Sequence, residues 1–382
     1  MTYRIAFNTL KFLLLVLWGA ATAFAQSPEL PASQIAARSW VLYDTQSGQL
    51  ITGYKHDERF DPASLTKLMS AYLVFDALKQ KKIKLEQIVP VSDKARHTIG
   101  SRMFIQTDMP VTVSELIRGV IIQSGNDATI ALAEAVSGSE EAFVTQMNRE
   151  AKRMGLINTQ FANSSGLPAP QHASTARDLA LLTAALIRDY PEYYPLYSQK
   201  EYRYNDITQP NRNRLLWRDP TVDGVKTGHT EAAGWCLISS AKRDNRRLIS
   251  VVLGAASDSA RASESQKLLN YGYQNFDTVR LYEAQQPAST LRVWKGTLNN
   301  VKAGFPAGLY VTVPHGQAAN LKAKIESLQP LIAPLRTGQT LGTLKLELNG
   351  KPYHTLPMVA LENVPVAGLF GRAWDALRLY LQ

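Results

Sequence analysis

The sequence predicts an α+β protein followed by a second, smaller all-β domain. Strand-like runs at 39–54 and 234–253 flank a long helical middle, so first and last strands are expected to share one antiparallel sheet. Near residue 277 the composition shifts to short alternating strands and turns. The closing segment becomes amphipathic with a helical period. The expected division is 1–25, 26–276, 277–363 and 364–382.

Residues 1–25 read as a secretory signal peptide. Arg4 and Lys11 supply positive charge, Phe12–Trp18 is a short apolar run, and Ala23-Phe24-Ala25 is a small-residue cleavage signal. No later stretch approaches the ~18 apolar residues of a spanning helix. The mature chain is therefore expected outside the cytoplasm. Cys236, the single cysteine, has no intramolecular disulfide partner and sits in an apolar run as a small buried hydrophobe. The formal charge is +10, or +8 once the two basic side chains before residue 26 are removed, there being no acids among them. A basic exported chain suits an anionic membrane surface or wall polymer. Nucleic acid is excluded as a partner: there is no recognition motif and no concentrated basic helix.

Ser39–Asp44 and Leu50–Tyr54 form a hairpin around Gln46-Ser47-Gly48-Gln49. Asp61-Pro62-Ala63-Ser64 opens a helix, with Asp61 as N-cap and Pro62 in the first helical position. Leu65, Leu68, Met69, Tyr72, Leu73 and Phe75 give it an apolar face. Helical periodicity recurs over 112–136, 139–154 and 176–188. Strands follow at 234–240 and 248–253, then a helix around 264–276. Beyond 277, residues 291–294, 309–313 and 344–348 alternate, the last running into the hairpin signal Asn349-Gly350. In the final segment Leu369, Phe370, Ala373, Trp374, Leu377, Tyr380 and Leu381 share one side, against Arg372, Asp375, Arg378 and Gln382. Such a helix either packs on the β-domain or lies in a membrane interface; its terminal position and its Trp, Tyr and Arg favour the interface.

Three polar signatures carry chemistry: Ser64-Leu65-Thr66-Lys67, Ser124-Gly125-Asn126 and Lys226-Thr227-Gly228. Helical i, i+3 spacing puts Lys67 beside Ser64, and the helix N-terminus favours negative charge building there. A serine hydroxyl needs a base to take its proton. Lys67 can serve only when neutral, so its pKa must fall from about 10.4 through burial and a second cation, for which Lys226 is the candidate. A second Ser-x-x-Lys, Ser239–Lys242, lies in an expected strand, where i and i+3 face opposite ways. Ser124 can relay a proton to a leaving amine, and Asn126 can orient Lys67 or hold a substrate amide. Lys226-Thr227-Gly228 is expected to precede a strand: Lys226 and Thr227 suit a carboxylate, and Gly228 admits substrate backbone to the strand edge. The backbone N–H groups of Ser64 and His229 make a plausible oxyanion hole. The six histidines show no H-E-x-x-H spacing, so no metal or other cofactor is expected.

These motifs, in their extended forms 61–67, 123–128 and 223–230, together with Asn211-Arg212-Asn213, Leu215-Leu216-Trp217 and 173–178, resemble the low-molecular-mass penicillin-binding proteins. Within them the chain is similar to the serine-type D-alanyl-D-alanine carboxypeptidases. The resemblance implies a penicillin-binding/β-lactamase-like transpeptidase domain, an antiparallel sheet with helices on both sides. It implies peptidoglycan stem peptides as substrate, with Ser64 attacking the penultimate D-alanyl carbonyl and water releasing the acyl-enzyme. It implies β-lactams as covalent inhibitors and a periplasmic place on the outer face of the cytoplasmic membrane, held by the terminal helix. Arg261 matches a family arginine that contacts the terminal carboxylate, and Arg212 is a further candidate. The chain departs from the family at Arg214, often glycine, and over 167–173. A DD-endopeptidase is the nearest alternative. A serine β-lactamase is disfavoured, because no class A glutamate signature is present. A non-catalytic wall-binding module would not need the intact Ser64, Lys67, Ser124, Asn126 and Lys226.

Overall fold

The structure, a computed structural model, describes residues 30–381. The expected signal peptide lies outside the described residues.

One sheet organises the first part of the chain. Strands β1 (Ser39–Asp44) and β2 (Gln49–Tyr54) form the expected hairpin. They join β3 (Val222–Thr230), β4 (Gly234–Arg243) and β5 (Arg246–Ala255) in the order β2-β1-β5-β4-β3, antiparallel throughout. Successive side chains point to opposite faces, so both faces need cover. Val41, Ile238, Ile249 and Val251 pack against α1 (Lys67–Lys79) and α5 (Ala176–Asp189). Trp40, Leu42, Leu248 and Val252 pack against Leu268 and Leu269 of α6 (Asp258–Asn275). Between α1 and α5 run α2 (Val113–Arg118), α3 (Asn126–Ser137) and α4 (Glu140–Arg153).

Four expectations need correction. The helix at Ser64 does not start at Pro62. Ala63 takes a left-handed φ of 46°, which interrupts α-helical geometry before the serine; Ala63–Thr66 form a 3₁₀ turn and the α-helix begins at Lys67. The run 112–136 is not one helix. After α2 the chain makes a π-turn over Gly119–Gln123, and Ser124 turns left-handed at φ 61° before α3. Apolar residues on both sides of that break enter the same core, which is why the periodicity hid it. Lys226-Thr227-Gly228 lies within β3 rather than ahead of a strand. The helix expected around 264 starts at Asp258, capped by the Ser257 hydroxyl, and this brings Arg261 into its first turn.

Phe276 begins a β-rich region. Strands β6 (Phe276–Tyr282), β7 (Pro287–Trp294), β8 (Asn300–Gly304), β9 (Leu309–Pro314), β10 (Leu321–Ser327), β11 (Leu331–Ile332), β12 (Thr340–Leu348) and β13 (Lys351–Ala360) form a six-stranded sheet, β10-β12-β13-β8-β7-β11, and the pair β6-β9. Asn349 and Gly350 both hold positive φ in the β12–β13 turn, as an Asn-Gly hairpin requires. Asp44 of β1, fully buried, ties the two parts together: its Oδ2 accepts from Arg246 Nε at 2.9 Å and from the hydroxyls of Thr278 and Thr312.

The last helix, α7 (Leu369–Tyr380), turns its apolar side outward. Only Asp375 is buried, accepting from the Lys295 amide at 2.6 Å, while Phe370 and Tyr380 are 94% and 88% exposed. The helix thus docks on the β-region by its polar side.

Candidate active site

The three signatures meet where the Ala63–Thr66 turn, the Ser124 break and β3 converge. They line one wall of an open cleft of about 440 Å³. The 3₁₀ turn eclipses positions i and i+3, which suits the first motif better than an α-turn. Lys67 Nζ lies 3.1 Å from Ser64 Oγ. It also donates to Asn126 Oδ1 at 2.7 Å and to the Ser165 carbonyl at 2.6 Å. Those two oxygens can only accept, so they use two N–H bonds of Lys67. The third tetrahedral position of the amine faces Ser64, where a neutral lysine carries its lone pair. Burial pulls the Lys67 pKa down to about 7, and the Arg212 guanidinium adds to this. Arg212 is therefore a second cation acting on Lys67, beside the expected Lys226, with which Lys67 interacts as well. Lys226 is itself held well below the ordinary lysine range, chiefly by burial and then by Lys67, Arg212 and Arg261. Lys67 thus has a means of being neutral near pH 7.

Lys226 Nζ donates to Ser124 Oγ at 2.9 Å, which aligns the second motif with the third. Ser124 reaches this place only because its backbone is left-handed. Asn126 is fixed by its own amide, whose Nδ2 donates to the Ile99 carbonyl at 2.7 Å. Thr227, Gly228 and His229 line the cleft from β3, and the exposed His229 ring lies tilted against Trp235 with centroids 4.0 Å apart. Gly228 has a different reason from the expected one. A Cβ there would meet the Pro62 carbonyl at 3.1 Å and the Ala63 Cβ at 3.2 Å, so the glycine lets β3 press against the serine turn. Arg261 is buried behind the cleft, bonded to the Gly228 and Cys236 carbonyls and to Asp258. Arg212 stands exposed on the rim, and Arg214 pairs with the other oxygen of Asp258. The site thus gathers Ser64, Lys67, Ser124, Asn126, Lys226, Thr227, Gly228, His229, Arg212 and Arg261 around one cleft. Ser239 is buried and Lys242 exposed, on opposite faces of β4, as expected for the second Ser-x-x-Lys. Cys236 is buried, its thiol pushed up to about 11.

Sequence reasoning missed the groups that support this arrangement. Asn163 Oδ1 accepts from the amides of Ser165, Gly166 and Leu167, shaping the loop that delivers the Ser165 carbonyl to Lys67. A Cβ at Gly166 would fall 1.8 Å from the Ala63 carbonyl oxygen, so only glycine fits there. The Asn-Ser-Ser-Gly sequence was the available signal. Asp127 accepts from the amides of Met103, Phe104 and Ile105, pinning that loop to the start of α3. His172 Nδ1 accepts from the Ala162 amide, so Nε2 carries the proton and donates to Thr66 Oγ1 at 2.8 Å, inside the first motif.

Residues 22–257 match the family model for D-alanyl-D-alanine carboxypeptidase, more than half of the chain. The chain belongs to the D-alanyl-D-alanine carboxypeptidase family. Residues 276–366 match the C-terminal domain of penicillin-binding protein 5. The chain is 48% identical to the D-alanyl-D-alanine carboxypeptidase DacC of Escherichia coli, over 93% of this chain and 91% of that protein. It is 42% identical to DacA of Haemophilus influenzae, over 97% and 98%. Among solved structures, penicillin-binding protein 5 from Haemophilus influenzae superposes with a TM-score of 0.82 at 43% identity, covering 87% of this chain and 98% of that one. Penicillin-binding protein 6B from Escherichia coli gives 0.72 at 38% identity, covering 87% and 97%.

Proposed function

We propose that the protein removes the terminal D-alanine from peptidoglycan stem pentapeptides through an acyl-enzyme on Ser64. Neutral Lys67 takes the Ser64 proton as Oγ attacks the penultimate D-alanyl carbonyl carbon. The Ser64 and His229 amides receive the developing oxyanion. The C–N bond breaks, and the proton that Lys67 took reaches the departing amine through Ser124, which is bonded to Lys226, so Lys67 is neutral again for the water step. Lys226, Thr227 and Arg261 hold the terminal carboxylate, with Arg212 at the rim. Water then hydrolyses the ester. β-Lactams present the same carbonyl and acylate the same serine.

One observation carries this reading: Lys67 is locked by two obligate acceptors with its third position 3.1 Å from Ser64 Oγ. Intact-mass measurement after benzylpenicillin, beside D-alanine release from a pentapeptide, tests it. The expected result is one stable adduct and D-alanine release, both absent in Ser64→Ala. An adduct on Ser64→Ala, or rapid turnover of the penicillin, would refute it.

The proposed place of action is the periplasm, on the outer face of the inner membrane. The composition of 1–25 supports export. The outward apolar side of α7 supports lying in the lipid interface. No helix among the described residues is long and apolar enough to cross a membrane. On this division 26–276 is the catalytic unit, 277–363 a β-rich spacer and 364–382 the anchor.

A further inference from the structure

The joint between β7 and α7 contains a second cavity, of about 420 Å³, lined by Arg292, Trp294, Arg378 and Leu381. Its arginines are held by rings rather than by acids. The Arg292 guanidinium lies over the Trp294 ring, 4.7 Å from its centroid, and that of Arg378 over Trp374 at 5.6 Å. Neither has an ion-pair partner among the described residues, and Arg292 Nε is buried without a hydrogen-bond partner. The one carboxylate α7 turns toward this joint, Asp375, is spent on the Lys295 amide. Two guanidinium groups without an ion-pair partner among the described residues, one of them with a buried, unpartnered Nε, describe a site for an anion, and their planar forks suit phosphate oxygens.

The surroundings identify the anion. Trp374, Leu377 and Leu381 are 59%, 52% and 75% exposed along α7, and Ile332, paired with Trp294, is 45% exposed. A ligand here meets cations at one end and exposed apolar side chains at the other. We propose that Arg292, Trp294, Arg378 and Leu381 bind the headgroup phosphate of an anionic phospholipid, whose acyl chains continue along the apolar side of α7. This rests on the reading of α7 as interfacial and adds a defined headgroup site to it. The helix is rigidly aimed for the purpose: Ala367 and Thr297 exchange backbone bonds with Lys295 and Pro365, fixing α7 against the end of β7.

Vesicle flotation of the mature full-length chain tests the site, with phosphatidylcholine alone and with an equal mixture of phosphatidylcholine and phosphatidylglycerol. The wild type binds both and prefers the mixture. R292Q/R378Q weakens binding to the mixture by roughly 10- to 30-fold, from the loss of two charge-assisted contacts to one headgroup phosphate. It leaves binding to phosphatidylcholine within about twofold. R336Q/R372Q makes the same charge change outside the cavity and costs about threefold or less on the mixture. Equal losses in the two double variants would show diffuse surface charge and overturn the site, as would wild-type behaviour of R292Q/R378Q. Failure of the wild type to bind either vesicle would instead remove the interfacial reading of α7, and the site with it.

Discussion

Helices α1 and α7 reverse each other. In α1 eleven of thirteen residues are buried, and one of them is Lys67, a group that prefers water. In α7 one of twelve is buried, and the solvent-facing side carries Phe370, Trp374 and Tyr380, groups that avoid it. Each arrangement costs folding free energy that a different residue would not. The lesson is that each end of the molecule is shaped for a partner the folded chain alone does not supply. At α1 the buried lysine is aimed at a serine; at α7 the exposed apolar side is what the proposed lipid contact would cover.

The largest expected effect comes from breaking the first arrangement. Lys67→Met removes the proposed base and should slow Ser64 acylation more than about 1,000-fold, the upper range for general base catalysis. The same variant should be more stable. Because the folded pKa of Lys67 is lowered to about 7, the unfolded chain holds more protons between about 7 and 10.5. Its contribution to stability therefore rises with pH through that window, and the cost of burying it is fullest below pH 7. Thermal unfolding at pH 6 should show Tm raised by roughly 3 °C or more. A drop in Tm would mean Lys67 is there to hold the fold.

Breaking the second arrangement should separate location from catalysis. Phe370→Glu with Trp374→Glu should weaken vesicle binding at least roughly 100-fold, since each loses about 2 kcal/mol of apolar burial. D-alanine release from a soluble pentapeptide should stay within about twofold. Equal loss of both would tie α7 to the cleft and end the contrast.

A smaller effect sharpens the account of the first region. Burial lowers the His172 pKa to about 4, so between about pH 6.5 and 4 the unfolded chain holds more protons. Stability contributed by neutral His172 is present above 6.5 and lost as pH falls through that window, to the extent of about 2–3 kcal/mol. His172→Gln should flatten this part of the pH–stability curve. An unchanged curve would mean the ring is free to protonate in the folded state.

Much of this was legible in the sequence, for reasons particular residues make plain. Asn349-Gly350 specifies its own turn, and strict alternation over 344–348 specifies a strand with one buried face. The chemical triplets were legible because their residue types are unusual beside apolar helices. What stayed hidden depends on contacts far apart in the chain. The left-handed Ala63 is matched to Gly166, about a hundred residues later, and the Ser124 break is matched to Lys226. The loop Asn163–Gly166 hid because its contribution to Lys67 is a backbone carbonyl, which every residue has. Gly228 was assigned to the substrate, whereas its missing Cβ serves the packing of β3 on the serine turn.

The central claim is that a lysine held near neutrality takes the Ser64 proton. It is tested most directly by the pH dependence of Ser64 acylation under benzylpenicillin, followed by intact mass in wild type and Asn126→Asp. The neutral amine is the active form, so the wild-type rate should rise with pH and reach half its plateau near pH 7. In Asn126→Asp a carboxylate would stand 2.7 Å from Lys67 Nζ, favour its charged form, and move that midpoint upward by about one unit or more. A rate that is flat from pH 5 to 9, or a midpoint that ignores the Asn126→Asp charge, would contradict the account.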